Sequence, residues 1–196
     1  MFPVLRQLSV TRCDATGRQT VTDDLIGRPF LDQLDVILVD LGDHSLLTNG
    51  MVREPSLDPD LPVLWQSELA IGASLSAAEL SQSSRVAHLL IRVGSHAAEN
   101  LRTQMTSGHD RFRLFQQLHN LVQYQSHLRL LLVPPVLWNH VEHKCAPIGR
   151  WKGNTVGACQ RRGIEVRTYD DARPLDGLVV PEFLEYLRDK AARKSA

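Results

Sequence analysis

DVILVDLGDHSLL, residues 35–47, decides the fold. Val36 to Val39 and Leu41 are apolar or β-branched, and only Asp40 interrupts them. Such a run, closed by a glycine, reads as a strand buried on both faces, which needs helices above and below it. Gly42, Asp43, His44 and Ser45 then fall at the strand's carboxyl end, where open parallel α/β sheets place their ligands. Candidate chemistry is sought there first.

Working outward, the chain reads as alternating strands and helices. Leu5–Thr11 is a short candidate strand in an N-terminal extension, residues 1–34, that the Gly27-Arg28-Pro29 boundary separates from the central strand. Turn residues between Thr48 and Leu61 mark a loop. Pro62–Ser74 reads as a second strand ending at Gly72, and residues 75–85 as a modest helix. Val86–Val93 repeats the opening pattern, a strand stopped by Gly94 and followed by Ser95 and His96. From Asp110, a plausible N-cap, Phe112, Phe115, Leu118 and Val122 recur at helical spacing. Leu128–Trp138 reads as a fourth, fully buried strand closed by Pro134-Pro135, with a basic loop from Asn139 to Lys152. Asn154–Arg162 predicts a helix ended by Gly163, Ile164–Thr168 a fifth strand, and Pro181–Arg193 a closing helix. The expectation is one domain over residues 1–196, an α/β three-layer sandwich with helices on both faces of a parallel sheet of about five strands in flavodoxin-like arrangement.

With 196 residues the chain is long enough to bury a core without metal or disulfide staples. Cys13, Cys145 and Cys159 include no CxxC pair, and at least one cannot pair within the chain, which favours a reducing compartment. The N-terminal residues lack the apolar core of a signal peptide, and no window reaches the roughly 20 apolar residues that cross a bilayer. A soluble, cytoplasmic protein with no membrane partner is expected. The abrupt start reads as that of a domain within a longer chain.

Net charge is zero, yet unevenly spread. Residues 1–84 carry 5 Arg and no Lys against 12 acidic residues, a net −7. Residues 111–167 carry 9 basic residues, Arg111, Arg113, Arg129, Lys144, Arg150, Lys152, Arg161, Arg162 and Arg167, against Glu142 and Glu165, a net +7. Such a basic half concentrates phosphates, unless the two halves lie side by side and cancel.

The order of motifs resembles the SGNH (GDSL-type) hydrolase family. Gly42-Asp43-His44-Ser45 looks like the family's nucleophile block with one residue inserted, and Gly72 like the isolated glycine of its second block. Gly94-Ser95-His96-Ala97 looks like the oxyanion block, and Leu175–Phe183 like the last block, with Asp176 matching its aspartate. The resemblance implies a serine hydrolase, but the working groups have been replaced. Val179 stands where the family has its catalytic histidine, and an aliphatic side chain cannot relay a proton. His44 takes the nucleophile position with Ser45 displaced by one, and His96 replaces the oxyanion asparagine. Triad members act as a unit, so one loss removes most of the rate. Asp43, His44, Ser45, Gly94, His96 and Asp176 are therefore read as vestigial, with no catalytic residues.

A degenerate SGNH-like domain with a basic C-terminal half resembles the OSK domain family of insect Oskar proteins. That resemblance implies mRNA binding in germ plasm assembly, to single-stranded regions, together with other proteins of a ribonucleoprotein. The candidate RNA-binding residues are Arg111, Arg113, Arg129, Arg150, Trp151, Lys152, Arg161, Arg162 and Arg167. Arg150-Trp151-Lys152 places an aromatic between two cations, suited to stacking and phosphate contact, or else a solvated loop with Trp151 tucked into the core. Arg161 and Arg162 could equally serve their own helix's dipole. His140, His143 and Cys145 lack a fourth ligand and zinc spacing, so no metal and no cofactor are assigned. Two alternatives stay open: an active SGNH esterase with a rearranged triad, for instance His44 and His96 working with Asp43 or Asp176, and a protein-binding scaffold.

Overall fold

The computed structural model describes residues 7–11, 36–43, 62–69, 86–94, 98–99, 101, 108–142, 155–170 and 180–195. Six strands form one sheet: β1 (Gln7–Thr11), β2 (Val36–Asp43), β3 (Val63–Leu69), β4 (His88–Val93), β5 (Leu130–Val133) and β6 (Glu165–Thr168). Every neighbouring pair is parallel. Four helices follow, α1 (Gly108–Tyr124), α2 (Pro135–Glu142), α3 (155–162) and α4 (Pro181–Ser195), and Ala98, Glu99 and Leu101 are helical as well. An α/β fold built on a parallel sheet follows.

Alternation along the middle strands sorts their side chains into two cores. Val63, Trp65 and Leu69, Leu89 and Ile91, and Leu131 and Val133 join Leu114, Phe115, Leu118, Leu121 and Val122 of α1, Leu137 of α2 and Cys159 of α3. Leu64, Leu90, Leu130 and Leu132 join Val180, Phe183 and Tyr186 at and within α4. β5, LLLV, reads as a continuous apolar run because both of its faces are dry. The burial inferred for Val36–Leu41 concerns side chains outside the described set.

The strands stand in sequence order across the sheet. This corrects the flavodoxin-like expectation, in which the chain reverses direction and the first strand lies between the next two. Here β2 pairs with β1 and β3, and β3 separates it from β4. Right-handed crossovers that always advance the same way place their helices on one face, and α1 and α3 indeed share a core. The centre of the sheet is β3 and β4, and β1, from the expected extension, supplies an edge strand.

Local chemistry accounts for the element ends. Leu128–Trp138, expected as one strand, divides at the prolines: β5 stops at Val133, and Pro135 opens α2. A proline cannot donate to a ladder, yet its fixed φ suits a first helical position, and the N–H groups of Leu137 and Trp138 donate to the Pro134 carbonyl, each at 3.0 Å. The apolar Val136-Leu137-Trp138 run had masked this, since short apolar runs do not separate buried strand from buried helix. α1 begins at Gly108, so Asp110 lies in its first turn rather than at the N-cap, a shift within the ordinary spread of helix ends. At the end of α3, Gly163 takes φ +65°. Its N–H donates to Gln160 O (3.2 Å) and that of Ile164 to Cys159 O (2.9 Å), the paired bonds of a Schellman motif, which turn the chain into β6.

Candidate nucleic-acid interface

The nine candidate residues, eight cations and Trp151, separate into distinct environments. Arg111 and Arg113 lie in the first turns of α1. Arg150, Trp151 and Lys152 fall outside the described residues. Arg129, just before β5, and Arg161, near the end of α3, are exposed.

Arg162 and Arg167 are engaged within the fold. The Arg162 guanidinium donates to the carbonyls of Val122 and Gln125, closing the C-terminal end of α1. The last turn of α1 carries no basic residue, so a cation from α3 serves the negative end of its dipole. Arg162, a candidate RNA contact that could equally serve the dipole of its own helix, instead serves that of α1. Arg167, on β6, donates from Nε to Glu165 Oε1 (2.7 Å) and from Nη2 to Asp189 Oδ2 of α4 (2.7 Å), and its guanidinium carbon lies 5.8 Å from the Tyr186 ring centroid. It holds α4 against the sheet, and charge already matched by two carboxylates is a poor attractor of phosphate.

α4 supplies cations that the sequence reading passed over. Arg129, Lys190, Arg193 and Lys194 line a cleft of about 300 Å³ with Gly163, Glu165, Tyr186 and Asp189. Burial, and then the Glu165 carboxylate, raise the Tyr186 phenol above its ordinary value, so it stays neutral and adds no negative charge to the wall. The available signal was the basic last turn of α4, Arg193-Lys194, well outside the basic stretch 111–167.

Of the expected catalytic remnants, Asp43 and Gly94 are among the described residues. Asp43 ends β2 and Gly94 follows β4, with β3 between them, so these two strand ends are about 10 Å apart at a strand spacing of 4.7–4.9 Å. His44 and His96 were expected at adjacent strand ends, and the strands that precede them are not adjacent. The β2–β3 register also slips between Asp40 and Asp43, an irregularity at the point where the nucleophile block was read. His44, Ser45, His96, Asp176 and Val179 lie outside the described residues, as do His143 and Cys145.

No family model, curated protein or solved structure matches this chain. No helix among the described residues is long and apolar enough to cross a membrane.

Two groups beside the arginines of α3, one buried and one half-buried, titrate abnormally. Cys159 is a buried free thiol that burial pushes up to about 11, against the opposing pull of the Arg162 charge. His119, hydrogen-bonded through Nδ1 to Thr155 Oγ1 at 3.1 Å, is lowered from its ordinary 6.5, first by burial and then by the Arg161 charge. The folded chain therefore holds His119 neutral, while the unfolded chain binds its proton more tightly. The stabilisation is fully present above about pH 6.5 and is lost as pH falls through the depressed folded value. In urea titrations at pH 7.5 and pH 5, the wild-type midpoint is expected to fall further than that of His119→Asn, and equal falls would refute the assignment.

Proposed function

We propose that the chain is a non-catalytic, cytoplasmic RNA-binding domain. It would fold as a three-layer α/β/α sandwich and meet the phosphates of single-stranded mRNA with the basic surface of its C-terminal half. The observation that carries this reading is the exposure of Arg129 and Arg161, the former lining a cleft with three further cations of α4. The two cores, one holding α1 to α3 and the other α4, support the layered architecture. The absence of hydrolysis is supported by Val179 in the place of an imidazole and by the intervening strand between β2 and β4. The resemblance to SGNH hydrolases and OSK domains, with its mRNA and germ plasm associations, enters through the pattern of replaced residues. The sequential strand order argues against the flavodoxin-like part of it.

Anisotropy of a labelled oligouridine tests the reading. Binding is expected to weaken linearly on a log–log scale between roughly 50 and 200 mM salt, with a slope of about −0.7 for each phosphate neutralised. No binding at the lower salt removes the proposal. A p-nitrophenyl acetate assay runs beside it, and turnover that disappears in Ser45→Ala would favour the esterase alternative instead.

A further inference from the structure

We infer that the sheet face on which α4 packs binds a small hydroxylated anion, a sugar phosphate or a sugar acid, at Gln66 and Arg92 toward the carboxyl ends of β3 and β4. The site is separate from the basic surface and does not rest on the RNA-binding reading.

Beneath α4 this face is apolar. Leu64, Leu90, Leu130 and Leu132 meet Val180, Phe183 and Tyr186 there. Gln66 follows Leu64 by two residues and Arg92 follows Leu90 by two, so alternation along the strands puts both on the same face. The register sets Gln66 opposite Leu90, with Arg92 one step beyond. At a strand spacing of about 4.8 Å and a rise of about 3.3 Å per residue, their Cα atoms stand about 8 Å apart. β3 and β4 are the central strands, where parallel sheets are otherwise apolar, so polar side chains in them need a reason.

The bonding of these two side chains points to a ligand. Gln66 is 3% exposed, and its Oε1 accepts no hydrogen bond among the described residues. Burying an amide oxygen without a donor costs stability, a cost that leucine in its place would not carry. Arg92 is half-buried, and its guanidinium makes no hydrogen bond or ion pair with another described residue. One group wants a donor and the other an anion. Tyr169 bounds the site on its β5 side, where its phenol donates to the Ile91 carbonyl at 2.9 Å and so reaches the residue before Arg92. Asp40 holds the register position opposite Gln66 and Glu68 the one opposite Arg92, both residues of acceptor type.

Position and chemistry agree on what binds. Open parallel sheets take their ligands at the carboxyl ends of strands. A guanidinium takes a phosphate or carboxylate, and the amide oxygen takes a hydroxyl proton from the same molecule. Sulfate offers Gln66 no donor, and a neutral sugar offers Arg92 no charge.

Calorimetric titration of the full chain with ribose 5-phosphate and with gluconate tests the site and separates a phosphate from a carboxylate as the acidic group. At least one is expected to bind, and more tightly than sulfate or ribose does. Gln66→Leu should weaken that binding about tenfold and at the same time raise the urea midpoint, because it removes the buried oxygen that lacks a donor. Arg92→Met should weaken it by about tenfold or more, the loss expected for a charged hydrogen bond. A glutamine kept only for folding would lower the midpoint when replaced. No binding of either compound, binding that neither substitution weakens, or a lowered midpoint in Gln66→Leu overturns the site and leaves the RNA-binding reading standing.

Discussion

Truncating Phe183 to alanine is expected to lower unfolding free energy by about 3–5 kcal/mol, the range for fully buried aromatic side chains. Phe183 is wholly inaccessible. It stands between α4 and the sheet, among Leu64, Leu90, Leu130 and Leu132, with the His88 ring 5.2 Å away. Deleting it removes apolar area from the contact and leaves a void that backbone-fixed strand residues cannot collapse to fill. Tyr186 beside it and the Arg167 bonds to Asp189 would then have to hold α4 almost alone. Since whole domains are stable by about 5–15 kcal/mol, this one change consumes a large share. Urea unfolding measures it, and a loss below about 1 kcal/mol would mean that α4 is not docked as described. Undocking would also carry Lys190, Arg193 and Lys194 away from Arg129. RNA affinity should therefore fall in Phe183→Ala even though the substitution removes no charge, and the milder Phe183→Leu should retain most of it.

The second large effect belongs to Arg162. Arg162→Met is expected to destabilise by about 1.5–3 kcal/mol, because it removes charged donors from the Val122 and Gln125 carbonyls. Those carbonyls belong to the end of α1, whose own last turn offers no cation to replace the lost one. Methionine keeps much of the apolar stem, so the loss reports the bonds rather than the packing. Lysine should recover only part of it, since one ammonium cannot present the forked geometry of a guanidinium to two carbonyls. The result should appear in thermal or urea unfolding, and full stability in Arg162→Met would sink the capping role. Arg162 is for the same reason a poor choice for probing RNA contact, because weakened binding there would report a damaged fold. Arg129 and Arg161, exposed and outside this cap, are the informative positions.

The local elements could be read from the residues alone. The strands read within residues 35–47, 62–74, 86–93 and 128–138 are present as the shorter Val36–Asp43, Val63–Leu69, His88–Val93 and Leu130–Val133, the spacing of Phe115, Leu118 and Val122 falls in a helix, Gly163 ends α3, and Pro181 opens α4. Each depends on periodicity or backbone chemistry within a few residues, and such signals are written along the chain. Pro134-Pro135 sits at the margin, because the same apolar run fits strand or helix until the carbonyl of Pro134 is seen accepting from Leu137 and Trp138.

Tertiary structure decided the rest. Nothing in the chain's own order showed that β3 would separate β2 from β4, that Arg162 would cap a helix 40 residues upstream, or that Arg167 would bind Asp189 across 22 residues. Nor could it show Arg129 facing the end of α4. A charge count gives each cation equal weight wherever it sits, whereas the field that a phosphate meets depends on which cations a carboxylate or carbonyl has already claimed. Those pairings are made through space between distant segments, so only the folded arrangement shows which carboxylate or carbonyl holds Arg162 and Arg167.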